Sequence, residues 1–373
     1  MKKLAIFFAA IMLVCFAVPA MAVDWNFYGS ARMATYYVSD DLGQDNANGN
    51  DGYTDTQWDF QGNSRIGANV KAEHIKGQFE LGLKGSGAGD LDVGTRRLYG
   101  VWDFGAGKLK VGKDYTPVSQ FISGQAFDGD LGLLGIGTMY GSRLGQVALS
   151  FGGFTVALIT PDTAQITDPT VVAGPDTTTG DVTRTFPKLE AGWGMAFDTW
   201  NFGVQGGVQT YEIKDAFSLT NPGDQNDIDV TSYELGATAG VNFGPAYVKA
   251  SGAYGQNWSN ANWARTGYGT SVAYWDGDDD TDDTTSWMAA LVAGLKVSDM
   301  LSFEGGFGYR VDDPDVNGAD KQKQYGLYAQ AVIVLAPGVY IIPEVGYFDF
   351  GDDFESNDAG NRVYAGGKWQ IDF

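Results

Sequence analysis

Cysteine, histidine and long apolar runs are nearly absent from this chain. Its only cysteine is Cys15 and its only histidine is His74. No intramolecular disulfide can form, and no group of His, Cys and carboxylate residues has the spacing of a metal site. A serine–histidine pair would depend on His74, which falls in a short predicted turn, so we expect no enzyme and no catalytic residues. The glycine-rich stretch 85–89 lacks the lysine and the helix of a phosphate loop, so no cofactor is expected either.

Basic residues are also scarce. Lys and Arg number 24 against 46 Asp and Glu, which leaves a net charge of −22 and argues against nucleic acid as a partner. Proline is rare at 11 residues, whereas glycine reaches 53 and aromatic residues make up 14% of the chain. An intrinsically disordered chain would have few aromatics, so we expect a folded, strand-rich protein.

The first 22 residues have the features of a secretory signal peptide. Lys2 and Lys3 precede an apolar run, and Ala20-Met21-Ala22 is a small-x-small cleavage site. The prediction is a cleaved signal at 1–22 and a single mature domain at 23–373. Beyond the signal, no stretch approaches the roughly 20 apolar residues that a membrane-spanning helix needs. If the exported chain enters a membrane, it must therefore cross as strands.

Apolar and polar residues alternate over many short segments. In the stretch 362–373 the odd positions are apolar or glycine and the even positions are mostly polar, up to the final Phe373. This period of two is typical of a strand and not of a helix. The same pattern predicts about sixteen strands. They lie near 24–38, 57–73, 78–85, 95–104, 108–115, 142–151, 153–160, 188–198, 200–212, 230–243, 245–255, 285–297, 300–310, 324–335, 338–350 and 362–373.

Short and long connections alternate along the chain. Short turns alternate with long polar loops, and both termini fall on the short-turn side, as in an even-stranded up-and-down barrel. Aromatic residues cluster at strand ends, for example Trp25 and Phe27 or Trp200 and Phe202, as in the girdles at membrane interfaces. A secreted β-sandwich or propeller would instead bury its aromatics. The predicted fold class is therefore all-β, a transmembrane antiparallel barrel of about 16 strands.

The predicted inward residues are polar, charged or glycine, and a barrel of this width holds a water-filled channel. Two motifs then carry a family resemblance. The stretch 108–117 (KLKVGKDYTP) resembles the fifth strand of the sixteen-stranded general porins of Gram-negative outer membranes, and SRLGQV at 142–147 with SFGGF at 150–154 resembles the sixth strand and its tight turn. Phe373 is similar to the terminal signal that the family's barrel-assembly machinery reads. The resemblance extends in strand order over 23–373.

That resemblance implies a third extracellular loop, about 116–140, folded into the lumen opposite a basic wall. On the loop it implies Asp128 and Asp130 as the acidic side of a constriction. The candidates for the basic wall are Arg32, Arg65, Lys84, Arg97 and Arg143. By alternation Arg143 needs a bulge to point inward. Alternatively, the arginines pair along the wall with Asp59, Glu73, Glu80 and Asp103. The apolar run 131–139 either packs on the inner wall or seals against a neighbouring subunit.

An acidic tract lies in the sixth long loop. Its six aspartates are Asp276, Asp278, Asp279, Asp280, Asp282 and Asp283. Such a run is either a solvated, self-repelling surface or a weak Ca²⁺ site, although its spacing is not that of an EF-hand. The acidic loops favour cations at the channel mouth, whereas the basic wall favours anions. Because charges farther than about 8 Å are screened at physiological salt, we expect a weak cation preference that fades as ionic strength rises.

The resemblance implies a passive diffusion channel for small hydrophilic solutes and ions in the outer membrane of a Gram-negative bacterium. Expected partners are membrane lipid, lipopolysaccharide and two further copies of the chain in a homotrimer. The alternative is a substrate-specific channel for an oligosaccharide, an organic acid or another anion. The predicted inward tyrosines are compatible with a sugar channel, because such channels line the lumen with an aromatic ladder. These tyrosines are Tyr28, Tyr99, Tyr247 and Tyr328.

Overall fold

The computed structural model describes residues 23–41, 52–84, 92–161, 178–218, 226–264, 271–275, 281–354 and 356–373. The predicted signal peptide lies outside these ranges, and its cleavage stays a prediction. Within the described ranges, the helices are all too short or too polar to cross a membrane.

Eighteen strand segments make up nearly all of the described structure. They are β1 (Asp24–Asp41), β2 (Tyr53–Phe60), β3 (Arg65–Lys71), β4 (Ile75–Lys84), β5 (Asp92–Asp103), β6 (Lys108–Tyr115), β7 (Arg143–Phe151), β8 (Phe154–Ile159), β9 (Thr178–Thr183), β10 (Lys188–Ala196), β11 (Trp200–Ser218), β12 (Asn226–Phe243), β13 (Ala246–Gln256), β14 (Thr284–Lys296), β15 (Leu301–Pro314), β16 (Gln322–Ala336), β17 (Val339–Asp349) and β18 (Asn361–Asp372). The described loops also contain a one-turn helix, α1 (Phe127–Asp130), and a 3₁₀ turn (Trp258–Ala261).

The eighteen segments form sixteen spanning strands. Segments β2 and β3 both pair with β1, and four residues interrupt the ladder between them. Segments β9 and β10 both pair with β11 in the same way. Each of these pairs is thus one spanning strand with an irregular stretch. All neighbours are antiparallel, and β18 pairs with β1 from Ser30↔Asp372 to Asp41↔Asn361, which closes the barrel. The predicted sixteen-stranded all-β barrel is confirmed.

The short turns lie at one end of this barrel, together with both termini. Gly29 and Phe373 exchange backbone hydrogen bonds of 2.6 and 3.0 Å, which ties the last residue to the first strand. The hairpin between β7 and β8 turns on Gly152 and Gly153 alone, whose φ angles are 51° and 91°. Two consecutive residues at positive φ match the tightest hairpin turn, and glycine adopts them without a steric penalty.

The two faces of each strand differ in the way that the alternation predicts. On β18, Val363, Trp369 and Ile371 are exposed on the outside, whereas Tyr364 and Lys368 are buried on the inside. At a short turn, the rings of Phe197 and Trp200 stack on the outer surface with centroids 4.1 Å apart. An apolar outer band with aromatic ends is the surface that a lipid bilayer solvates.

Candidate pore constriction

The third long loop, 116–142, runs between β6 and β7 inside the barrel. At one point Asn63 Nδ2 donates to the carbonyl of Gly129 at 2.8 Å, and at another Ser251 Oγ on β13 donates to the carbonyl of Gly137 at 2.8 Å. Asn63 and Ser251 lie on opposite parts of the wall. A single loop reaches both only by crossing the lumen.

A carboxylate on β17 anchors the middle of this loop. Glu344 accepts hydrogen bonds from the backbone N–H groups of Ala126 at 2.5 Å and Phe127 at 3.1 Å, and from the Tyr364 hydroxyl at 2.7 Å. The Phe127 ring stacks on Tyr364 with a centroid distance of 3.8 Å. Three hydrogen bonds converge on this carboxylate and the stacked rings lie beside it, so Glu344 and Tyr364 anchor the loop on the β17–β18 wall.

The apolar run of the loop packs on the inner wall. Leu131 and Ile136 are buried against Tyr36 of β1 and Phe348 of β17. Leu133 is buried against the β14 and β16 wall. Of the two alternatives left by the sequence, the structure therefore has the run inside its own barrel.

A second loop also enters the lumen, and the sequence did not indicate it. Trp258 and Trp263, in the connection between β13 and β14, are fully buried. Glu190 on β10 accepts from Trp263 Nε1 at 2.8 Å and from the Val118 N–H of the third loop at 3.2 Å, and Lys188 donates to the carbonyl of Ala261 at 2.8 Å. The two loops together contact the wall at strands from β10 to β18.

Open space remains on the side of β1–β8. A cavity of about 730 Å³ lies between the third loop and this wall. Arg65, Arg96 and Arg143 line it on the barrel side, and Asp128 and Asp130 line it on the loop side. This cavity is the candidate constriction.

Six basic residues in and around the candidate constriction are grouped in pairs, each pair around a single carboxylate. Arg96 Nε lies 2.7 Å and Arg65 Nη1 3.7 Å from the carboxylate of Glu80. Arg97 Nε and Lys110 Nζ each lie 2.7 Å from Asp114.

The third pair involves the loop itself. Asp130 contacts the Arg32 guanidinium and lies 2.5 Å from Lys368 Nζ. Each of the three clusters thus carries one excess positive charge.

The structure brings together most of the residues predicted for the site. Arg32 contacts Asp130, whereas Arg65 and Arg97 lie on the wall and pair there with Glu80 and Asp114. The Lys84 side chain lies outside the described part of the structure.

Arg143 reaches the cavity without a bulge, because the β6–β7 register is continuous. It follows Ser142, whose φ is 64°, at the point where the loop enters the strand, and its guanidinium lies 5.2 Å from the Tyr115 ring centroid.

Three basic residues of these clusters were missing from the predicted wall, namely Arg96, Lys110 and Lys368. Arg96 has the wrong parity for an inward residue, but Glu80 pairs with Arg97 and Leu81 with Thr95, so Arg96 is the extra residue of a β-bulge and turns inward. A Cβ at Gly82 would collide with the Arg96 side chain, so this glycine makes room for it. Lys368 has the right parity on β18, and only the inward fold of the loop reveals its partner Asp130.

Asp130 is the ion-pairing carboxylate of the loop tip. Burial opposes its ionisation, but Lys368 and Arg32 outweigh this and hold the pKa of Asp130 below its ordinary value of about 3.9. A depressed carboxyl pKa means that the interaction is present above the ordinary pKa and is lost as pH falls through the lower, folded value. Asp130 therefore stays ionised throughout mildly acidic conditions.

We expect Asp130→Asn to shift reversal potentials toward chloride, because Arg32 and Lys368 lose their counter-charge. The difference between wild type and variant should persist from pH 7 down to about 4 and shrink only below it. Asp59→Asn is the control, since Asp59 lines the same cavity without pairing with Arg32 or Lys368. The Asp59→Asn variant should have the same melting temperature in detergent as the wild type, whereas the Asp130→Asn variant should have a lower melting temperature. A wild-type-to-variant difference already halved at pH 5 would contradict the depressed pKa.

The acidic tract of the sixth loop is only partly described. Asp276, Asp278, Asp279 and Asp280 lie outside the described residues. Asp283 accepts a hydrogen bond from Asn257 Nδ2 at 2.6 Å, which orders the start of the second inward loop. Among the residues that the structure describes, no three His, Cys, Asp or Glu side chains are grouped to hold a metal ion. Calcium binding by the tract stays an untested prediction.

Comparison with known proteins identifies the family. The family model for Gram-negative porins matches residues 9–353. No curated protein sequence matches the chain significantly.

Among solved structures, the outer-membrane channel DcaP of Acinetobacter baumannii superposes with a TM-score of 0.71 at 15% identity, over 95% of this chain and 99% of that one. The anion-selective porin from Comamonas acidovorans gives 0.59 at 14% identity, over 94% and 100%. Salmonella typhi OmpF gives 0.60 at 13% identity, over 95% and 99%. At such identities these structures show a shared fold. Because the family model matches residues 9–353, the chain belongs to the Gram-negative porin family, whose barrels are outer-membrane channels for the passive diffusion of solutes.

Proposed function

We propose that this outer-membrane channel passes small hydrophilic solutes with a preference for anions. The observation that carries the proposal is the pairing of six cations with three carboxylates in and around the candidate constriction, with Arg143 as a seventh cation. No described carboxylate forms an ion pair with Arg143, whose guanidinium contacts the Tyr115 hydroxyl at 3.2 Å. The cavity surface itself carries three arginines and three aspartates, Asp59, Asp128 and Asp130. The excess of positive charge comes from the surrounding wall, where each of the three clusters holds two cations on one carboxylate.

The position of these charges decides their effect on permeating ions. The Arg65, Arg96 and Arg97 side chains are 12% to 24% exposed, so water screens them less than it screens charges on the outer loops. Loop carboxylates farther than about 8 Å from the path are screened at physiological salt. The constriction should therefore outweigh the acidic loops. This proposal reverses the weak cation preference expected from the sequence alone.

A sugar channel is supported less well. Its aromatic ladder would need tyrosine faces free along the lumen. Tyr247 and Tyr328 both donate to Glu304, and Tyr328 is only 3% exposed beneath the third loop. Tyr28 and Tyr99 are joined through Gln78 by hydrogen bonds of 2.8 and 3.0 Å. These four side chains serve as hydrogen-bonding parts of the wall.

We further propose a homotrimer in contact with membrane lipid and lipopolysaccharide. Support for the assembly comes from the fold, which resembles Vibrio cholerae OmpT solved in a trimer form, at 15% identity and a TM-score of 0.56. The exposed apolar outer band suits lipid and subunit contacts alike. The exposed Phe373 ring at the short-turn end is accessible to assembly machinery.

Reversal potentials in planar bilayers test the proposed preference. Under a KCl gradient, the wild-type channel should give a chloride-to-potassium permeability ratio above one. The ratio should fall only modestly when the salt concentration is raised, because the charges in the constriction are screened least. A ratio below one at low salt that approaches one at high salt would refute the proposal. It would support the weak cation preference expected from the acidic loops.

A further inference from the structure

An aromatic cluster adjoins the arginines of the constriction. The Phe121 ring lies 4.8 Å from Tyr115 and 6.3 Å from Tyr140 between centroids, in edge-on arrangements. Phe121 is 54% exposed, although the neighbouring apolar residues of the same loop are buried. A large apolar ring exposed in a water-filled lumen is unfavourable in the empty channel. The exposed face is therefore available to a solute.

Phe121 lies at the boundary between two open spaces. It lines the arginine cavity of about 730 Å³ and also a second cavity of about 540 Å³ on its other side. Gln146, Asn201 and Gln205 line the second cavity together with Lys110 and Lys249. A solute that moves from one cavity to the other passes this ring.

The charges around the cluster limit which solutes it can hold. The guanidinium carbons of Arg97 and Arg143 lie 5.5 and 5.2 Å from the Tyr115 ring centroid, within cation–π distance. A permeating cation would meet these like charges. An anion that carries a flat ring would place its charge near Arg143 or Arg96 and its ring against Phe121.

We propose that Phe121 and Tyr115, with Arg143 and Arg96, form a binding subsite for aromatic carboxylates. Aromatic pairs prefer offset or edge-on contacts, which a partly exposed ring offers to a mobile solute. A guanidinium binds a carboxylate through paired N–H donors. The subsite retains such anions for longer than aliphatic ones of the same charge. This inference rests on the proposed anion preference and adds a chemical class to it.

The test compares anions in the same channel. Benzoate, cyclohexanecarboxylate and acetate are added to purified channels in planar bilayers that carry chloride current, and the half-blocking concentration of each is measured. We expect the half-blocking concentration of benzoate to be about three- to tenfold below that of acetate. This ratio corresponds to the free energy of about one aromatic contact. Cyclohexanecarboxylate should fall between them. Equal block by benzoate and cyclohexanecarboxylate would overturn the aromatic assignment.

Two pairs of variants test the contribution of the Phe121 ring separately from that of the Arg143 charge. Phe121→Ala should bring benzoate to the level of acetate, whereas Phe121→Tyr should keep the difference. Arg143→Gln should weaken block by both carboxylates in similar proportion, and Arg143→Lys should restore part of it. Lys249→Gln in the second cavity serves as the control for charge loss. Chloride conductance shows that each variant has folded, and an unchanged benzoate-to-acetate ratio in a conducting Phe121→Ala channel would overturn the proposal.

The two proposals fail in different ways. The benzoate-to-acetate ratio compares two monovalent anions, so the general ion preference of the pore cancels from it. If the chloride-to-potassium ratio falls below one while benzoate still blocks selectively, the anion preference fails and the subsite stands. If chloride is preferred and benzoate blocks no better than acetate, the subsite alone fails.

Discussion

Replacing Arg65, Arg96 and Arg143 by glutamine should reverse the ion preference of the channel from chloride to potassium. These three guanidinium groups line the constriction cavity, and after their removal Asp59, Asp128 and Asp130 remain on its surface. In a narrow aqueous zone a ring of like charges controls which ion enters. We expect the chloride-to-potassium permeability ratio to fall by about tenfold, which corresponds to about 1.4 kcal/mol. The measurement is the reversal potential under a KCl gradient.

The matched control removes the same charge elsewhere. Lys71, Lys76 and Lys296 are exposed near the short turns, and their triple glutamine variant should change the ratio only slightly, and only at low salt. In the arginine triple variant, the buried Glu80 loses both guanidinium partners, which threatens folding. Arg143→Gln alone leaves every described ion pair in place and should give part of the shift. A conducting triple variant that still prefers chloride would remove these arginines from the selectivity mechanism.

Glu344→Ala should release the third loop while leaving the barrel intact. The substitution removes an acceptor for three hydrogen bonds, and the N–H groups of Ala126 and Phe127 would then be buried without a partner. A buried donor left without a partner costs about 1–3 kcal/mol, so the local loss is large. The strand ladders do not involve this side chain. Single-channel recordings should show a higher mean conductance and frequent fluctuations between levels.

Two further variants define the role of Glu344. Glu344→Gln keeps the side-chain size and one acceptor oxygen, and should produce smaller fluctuations than alanine. Glu73→Ala removes an exposed carboxylate next to a short turn and should leave both conductance and noise unchanged. Steady, wild-type conductance in a folded Glu344→Ala channel would mean that other contacts, such as Glu304 with the Gly124 N–H at 2.6 Å, suffice to hold the loop.

Local chemistry along the chain was enough to predict the barrel. A strand with lipid on one face and water on the other must alternate its side chains, since successive residues point to opposite faces. Val363 to Phe373 on β18 and the glycine turn at 152–153 carry this information within a few residues. The number of strands and the side on which both termini lie then follow from the order of short and long connections. The same alternation predicted that the side chains of Arg32, Arg65 and Arg97 point into the lumen.

Contacts between distant segments determine the shape and charge of the pore. The bulge that turns Arg96 inward depends on its pairing with β4, and the meeting of Lys368 with Asp130 depends on where the third loop crosses the lumen. The second inward loop is held by Lys188 and Glu190, about 70 residues earlier in the chain. Alternation specifies a face, but it does not specify which loop fills the space behind that face. The sequence by itself thus determined the wall, whereas tertiary packing determined the shape and charge of the opening, because these arise from side chains that meet across the lumen.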